Sequence, residues 1–362
     1  MADKHGLLAL LDELDEVVDD LRELFDDDTP KALDELEEVA GAIRSELKDD
    51  EICSCNEIHQ DLESSPCPVS KDFLTVGDLL GGVLQNYGFH DSFEYSPAVA
   101  YKSGFAELDC LMDGGFRPGS LNIVAARPSM GKTSLALNIA QFGGGESNAA
   151  VLIFSLELPA EQIVRRMLAA QAGVSLDSMI TGTMSHDDRN KLSAAAEILK
   201  QKPIFINDSS MLTTSDFCNY CRAFREKHPN LGLVVVDYLQ LMVWKGKSES
   251  RNHEIWQMLR ELRKAADDLN CPIIIVSQLP RKAEKGENKI PTLFDLRGAP
   301  EEAVEQFADT VMFLHRRDYY EGTSSQDSEA WLVMMKNDGG RTGKVPIIFQ
   351  REIVRFRDEK RK

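Results

Sequence analysis

The stretch SLNIVAARPSMGKTSLALNIAQ, residues 120–141, joins an apolar run, a turn and an amphipathic helix in 22 residues. SLNIVAA (120–126) has strand length and strand composition, and LALNIAQ repeats with helical spacing. Between them ARPSMGKTS (126–134) fits the phosphate-loop pattern G-x-x-x-x-G-K-[ST] at Gly131, Lys132 and Thr133, with Ala126 in place of the first glycine. A helix start presents free backbone N–H groups to an anion, so Arg127, Ser129, Met130, Gly131, Lys132, Thr133 and Ser134 are the candidate ATP-binding residues. Lys132 is expected to reach the β and γ phosphates, and the Thr133 hydroxyl to hold Mg²⁺.

Outward from this stretch, strand-length runs alternate with helical patterns. They are AVLIFSL (150–156), PIFIND (203–208), LGLVVVDY (231–238), PIIIVSQ (272–278), TVMFLH (310–315) and WLVMMK (331–336). Several are apolar throughout, as strands covered on both faces are, which predicts an α/β domain with a mostly parallel sheet flanked by helices. Strand ends of such a sheet converge on one crevice. Asp237, ending LVVVD, is expected to orient the metal, and Glu157, ending AVLIFSLE, to orient and activate water. Gln278, ending PIIIVSQ, is placed to report the γ-phosphate by hydrogen bonding.

Charge is distributed unevenly along the 362 residues. Residues 1–70 hold 22 Asp and Glu against 5 Lys and Arg, a net of −17 out of −19, so the remainder is close to neutral and has room for a local basic channel. Within the acidic arm, Leu7, Leu11, Leu14, Val18, Leu21 and Phe25 alternate spacings of four and three, as do Leu33, Leu36, Ala40, Ile43 and Leu47. With Thr29 and Pro30 between the two seams, a helical hairpin is predicted over residues 1–48; its short seams call for another surface, either the other helix or a second copy of the chain, and its acidity suits a basic protein partner. A linker (49–72) follows, then a linker helix and connection (73–102), then the ATPase domain (103–362). Cys53, Cys55, His59 and Cys67 in the linker lack paired C-x₂-C spacing, so reduced cysteines compete with a zinc site there. Cys218 and Cys221 sit in a helical pattern and are expected to be small core side chains. No apolar stretch is long enough for a membrane span, and the acidic N-terminus is unlike a signal peptide, so a cytoplasmic protein is expected.

Taken in order, SGFAELDCLMDGGFRPGSLNIVAARPSMGKTSLALNIAQ, FSLELPAEQIVRRML, VVVDYLQLM, IIIVSQLPR and DLRGAPEEAVEQFADTVMFLHRRDYY resemble the motor domain of DnaB-type replicative DNA helicases, over residues 75–357. The resemblance implies a RecA-like P-loop NTPase that uses ATP and Mg²⁺ and forms a homo-oligomeric, hexameric ring around single-stranded DNA, moving 5′ to 3′. TVGDLLGGVLQNY (75–87) resembles the family's linker helix, which packs on the adjacent subunit. The resemblance also gives KNDGGRTG (336–343) a role: the family's matching loop reaches into a neighbouring subunit's nucleotide site. Lys336 falls on the family's lysine, but Asp338 stands where the family has an arginine, and Arg341 is the candidate substitute through a rearranged glycine turn. For DNA contact the resemblance points to Arg297 and Gly298, in a loop here lengthened and carrying Glu301 and Glu302, with Glu305 matching a family glutamate. The family's globular, primase-docking N-terminal domain has no counterpart, and the acidic hairpin stands in its place. Two functions follow: an ATP-driven helicase or translocase, or a DnaB-like ATPase whose assembly is switched by nucleotide without unwinding.

Overall fold

All six side chains of the strand Leu121–Ala126 are buried. Successive side chains of a strand face opposite sides, so this strand needs a hydrophobic layer on each face. Leu121, Ile123 and Ala125 enter one core cluster with Phe154, Phe217, Leu259, Leu262 and Phe313. Val124 and Ala126 enter a second, with Leu135, Ile139, Ile163, Met167 and Phe356.

The computed structural model describes residues 100–146, 148–247, 250–280, 290–296, 301–321 and 327–359. The chain divides into two units, Met1–Phe93 and Glu94–Lys362, and every described residue lies in the second. The predicted hairpin, the linker with its cysteines, the linker helix, and Arg297 and Gly298 all lie outside the described residues.

The strands are β1 (Leu121–Ala126), β2 (Ala150–Ser155), β3 (Ile204–Asn207), β4 (Leu231–Asp237), β5 (Ile273–Gln278), β6 (Thr310–Arg316), β7 (Asp327–Asn337), β8 (Gly343–Gln350) and β9 (Arg355–Asp358). The helices are α1 (Ala106–Leu111), α2 (Lys132–Glu146), α3 (Ala160–Ala172), α4 (Leu176–Thr181), α5 (His186–Lys200), α6 (Thr214–Lys227), α7 (Arg251–Leu269), α8 (Glu301–Phe307) and α9 (Arg317–Glu321). One sheet runs β3-β2-β4-β5-β1-β6-β7-β8-β9, parallel from β3 to β6 and antiparallel beyond. All seven predicted strands form, and the mostly parallel, helix-flanked sheet is the predicted fold.

β8 and β9 extend the sheet past the predicted strands. Pro346 in β8 reads as a strand breaker, yet β9 pairs only with Ile347–Gln350, so Pro346 lies where one flank of β8 is open. Cys221 and Cys271 are buried, and burial pushes both thiols up, Cys271 to about 12, which fits core side chains and not nucleophiles.

Because β1, β2, β4, β5 and β6 are parallel, their carboxyl ends share one edge of the sheet. β7 runs back, pairing Ala330 with Arg316 and Asn337 with Thr310, so the turn after Asn337 lies at the opposite edge. At about 3.3 Å per residue, the six residues of β1 separate the two edges by roughly 20 Å.

Candidate nucleotide and catalytic site

At the carboxyl edge the chain leaves β1 through Arg127 and enters α2 at Lys132. Ser129 (φ 63°) and Gly131 (φ 97°) take left-handed backbone angles that bend the loop over the helix start. A Cβ at Gly131 would lie 3.1 Å from the Phe356 ring, so the loop is packed directly on β9. A cleft of about 510 Å³ opens above it, lined by the loop and α2 start (Ser129, Gly131, Lys132, Thr133, Ser134) and by Glu157, Arg166, Arg316, Tyr319, Phe349 and Arg351.

The sequence-predicted residues meet here in part. The Thr133 hydroxyl donates to Asp237 Oδ2 at 2.6 Å. Asp237 is buried, and its Oδ1 has no hydrogen-bond partner. Burial pushes this carboxyl above the usual range, against the opposing pull of the Thr133 hydrogen bond and the Lys132 charge. A buried, orphaned carboxylate oxygen beside a hydroxyl is the oxygen-rich donor set a hard divalent cation prefers, so Thr133 and Asp237 fit Mg²⁺. Glu157 is exposed on the cleft wall and its carboxylate has no partner among the described residues. Lys132 is buried, its Nζ 5.2 Å from the centre of the Tyr238 ring.

Gln278 pairs in register with Ala126, at the root of the phosphate loop. Its main-chain N–H donates to Gln240 Oε1 at 3.2 Å, while its side-chain amide has no hydrogen bond among the described residues. Two predicted contacts turn inward. The buried Arg127 guanidinium donates to the Leu279 carbonyl at 3.0 Å, tying the loop to the end of β5, and Met130 is buried in the core. Arg127 and Met130 are thus turned away from the cleft, which Ser129 and residues 131–134 line.

Sequence reading missed the other wall of the cleft. Arg316 and Asp318 are both buried, joined by Nη2 to Oδ2 at 2.6 Å and Nε to Oδ1 at 3.1 Å. Asp318 Oδ2 also accepts from Ser328 at 2.8 Å and from Arg351 at 2.6 Å. Burial alone would raise this carboxyl, but these hydrogen bonds and the arginine charges hold it down at about 2. Arg316 lies 4.3 Å over the Phe349 ring and Nη1 reaches the Met130 carbonyl at 3.4 Å, so the network braces the phosphate loop. The signal was present in HRRDYY (315–320), but the partners Ser328 and Arg351 arrive from β7 and from beyond β8, which no local pattern reveals.

Lys336 and Arg341 lie on the opposite edge, away from this cleft. The Lys336 Nζ donates to the carbonyl of Glu305 at 2.5 Å and to that of Ala308, and pairs with Asp338 Oδ2 at 3.0 Å. Arg341 is exposed, and its guanidinium has no hydrogen bond or ion pair among the described residues.

Among the described residues no helix is long and apolar enough to cross a membrane, and no group of three or more His, Cys, Asp or Glu side chains could hold a metal ion.

Comparison with known proteins places these features in a family context. Residues 100–358 match the family described as DnaB-like helicase C terminal domain. Among curated relatives, the replicative DNA helicase DnaB of Geobacillus stearothermophilus is 39% identical over 255 residues, 70% of this chain and 55% of the relative. The replicative DNA helicase DnaC of Bacillus subtilis (strain 168) is 38% identical with the same coverage. The chain thus spans about half the length of these relatives. Among solved structures, an isolated ATPase domain superposes with a TM-score of 0.73 at 29% identity, covering 80% of this chain and 100% of that one. A DnaB-like replicative helicase, solved in a study of its interactions with primase, superposes at 0.72 and 24% identity, covering 98% of this chain and 77% of that one, and supports the fold.

Proposed function

The chain belongs to the family of DnaB-like helicase C terminal domains, and from that premise we propose that it is the ATP-driven motor of a DnaB-type replicative helicase, acting on single-stranded DNA as a ring of identical subunits. The observation that carries this reading is the carboxyl edge of the sheet. There Lys132, the Thr133–Asp237 pair and the unpartnered Glu157 surround one cleft at the start of a 15-residue helix.

In this reading the α2 start and Lys132 hold the ATP phosphates, and Tyr319, Phe349 and Val354 offer the base an aromatic and apolar wall. Thr133 and Asp237 would hold Mg²⁺, which when bound would supply charge neutralisation to the phosphates. Glu157 orients the attacking water and accepts its proton, and the free Gln278 amide senses whether a γ-phosphate is present. Lys336 and Arg341 serve a neighbour. They stand roughly 20 Å from their own chain's loop, a distance no side chain spans, so their cations reach phosphate only in another copy's cleft. The ring is then a requirement of the chemistry. Arg297 and the backbone at Gly298 are the proposed DNA contacts.

A second reading keeps the ATPase without the unwinding: a nucleotide-switched assembly protein. The observation that favours it is Lys336, tied to its own chain's carbonyls and to Asp338. A forked duplex with a 5′ tail separates the two. Unwinding that needs ATP and vanishes in Lys132→Ala supports the motor; ATP turnover with no strand separation on any fork contradicts it.

A further inference from the structure

The turn after β7 has two arginines within reach, and only one belongs to it. Arg117 comes from the connection between α1 and β1. Its Nη2 donates to the Gly339 carbonyl at 2.7 Å, and it lies 3.9 Å from the Asp113 carboxylate. The guanidinium lies against the Gly339 Cα: a Cβ there would fall 1.9 Å from Nη1 and 2.1 Å from Cζ. Glycine at 339 is therefore required for Arg117 to sit where it does. From the other side Asn337 Nδ2 donates to the carbonyls of Leu111 and Arg341, each at 3.0 Å, and a Cβ at Gly340 would meet Leu111 O at 2.7 Å. The Gly339 carbonyl and the Asn337 side chain are thus tied to α1 and the connection after it, and the Arg341 carbonyl to Asn337, while the Arg341 guanidinium is left exposed and unpartnered among the described residues.

A fixed main chain carrying a free cation is what an arginine presented to another molecule needs, because orientation settled before the encounter is not lost at the transition state. Lys336 must first leave two carbonyls and Asp338 to fill that role, whereas Arg341 is already free to do so. Asp338, bonded to Lys336, adds negative charge to the turn. Arg117 offsets it with a cation on the turn's far side.

We propose that Arg117 is a positioning residue for hydrolysis in the neighbouring subunit: it clamps the Gly339–Gly340 turn so that Arg341 is delivered to the adjacent cleft. This rests on the reading of the turn as acting in trans. It makes Arg117 part of a catalytic edge that the phosphate-loop residues of its own chain never touch.

The test is subunit complementation with the full-length chain. Arg117→Ala alone is expected to lower kcat for ATP about tenfold with KM within about twofold, since the turn acts on the transition state and not on nucleotide capture. An equimolar mixture of Arg117→Ala and Lys132→Ala chains should then turn over several-fold faster than the mean of its parents. In the mixture, the intact turn of a Lys132→Ala subunit serves the intact cleft of an Arg117→Ala subunit. Gly339→Ala, which displaces the guanidinium without removing it, should reproduce the loss, and the double variant should be no worse than either single. Arg341→Ala mixed with Lys132→Ala is the reference. If that mixture gains nothing, the reading of the turn as acting in trans fails. If it gains while Arg117→Ala either keeps wild-type turnover or is not rescued, the role assigned to Arg117 alone is overturned.

Discussion

Asp237 is asked to be charged where charge is disfavoured. The chain buries it and leaves Oδ1 unbonded, so the folded apoprotein carries a carboxylate whose ionised form burial disfavours. A folded pKa above the unfolded value means ionisation at neutral pH works against folding. Asp237→Asn removes that penalty while keeping an acceptor for Thr133. The expected outcome is a melting temperature of the nucleotide-free protein equal to or above wild type, with Mg²⁺-dependent turnover down at least about 100-fold. A lowered melting temperature would show that the carboxylate stabilises the fold. Asp318 is the opposite case, held at about 2 by Arg316, Ser328 and Arg351. Its folded pKa is depressed, so its contribution, on the order of 2 kcal/mol, is complete above the ordinary aspartate range and is lost as pH falls towards 2. Unfolding measured between pH 5 and 2 should show that decline in wild type and a flatter profile in Asp318→Asn. At this scale Lys132, Thr133, Asp237 and Glu157 were legible as candidates, because each lies where a strand ends or a helix begins, and the fold gathers them at one edge of the sheet. It did not reveal Arg316, Asp318 and Arg351, whose pairing depends on a chain reversal between them.

At the scale of elements, the phosphate loop is held from behind by a strand that the sequence scarcely announces. β9 has four residues, yet its Phe356 packs on Gly131 and on Phe349, ring centres 4.5 Å apart, and its main-chain N–H donates to Asn138 Oδ1 at 2.6 Å. Phe356→Ala should destabilise the protein by about 3–5 kcal/mol in chemical denaturation and raise KM for ATP, since the loop loses its backing. Unchanged KM with the same destabilisation would confine Phe356 to the core. The long parallel strands were legible because burial on both faces forces unbroken apolar runs. β8 and β9 were not, because β8 carries Pro346 on the flank that β9 leaves open, and the short edge strand β9 holds a single apolar residue among charges.

At the scale of the whole sheet, the carboxyl edge and the edge carrying the turn after β7 lie opposite each other, and the proposed assembly is what would join them. If Arg341 acts in trans, an equimolar mixture of Arg341→Ala and Lys132→Ala chains should turn over faster than the mean of its parents, and a rate at or below that mean would count against it. The acidic arm lies outside the described residues, so its role rests on charge and heptad spacing alone. Deleting residues 1–48 is expected to change the assembly state, read by light scattering, or to raise affinity for single-stranded DNA, and no change in either would make the arm a passive cap.

The most direct measurement is ATP hydrolysis by the full-length protein with and without single-stranded DNA, with Lys132→Ala as the blank. A motor gripping DNA through its ring predicts strong stimulation by DNA, abolished by Lys132→Ala. Turnover that is present, lost in Lys132→Ala and indifferent to DNA would contradict the motor and leave the nucleotide-switched assembly protein.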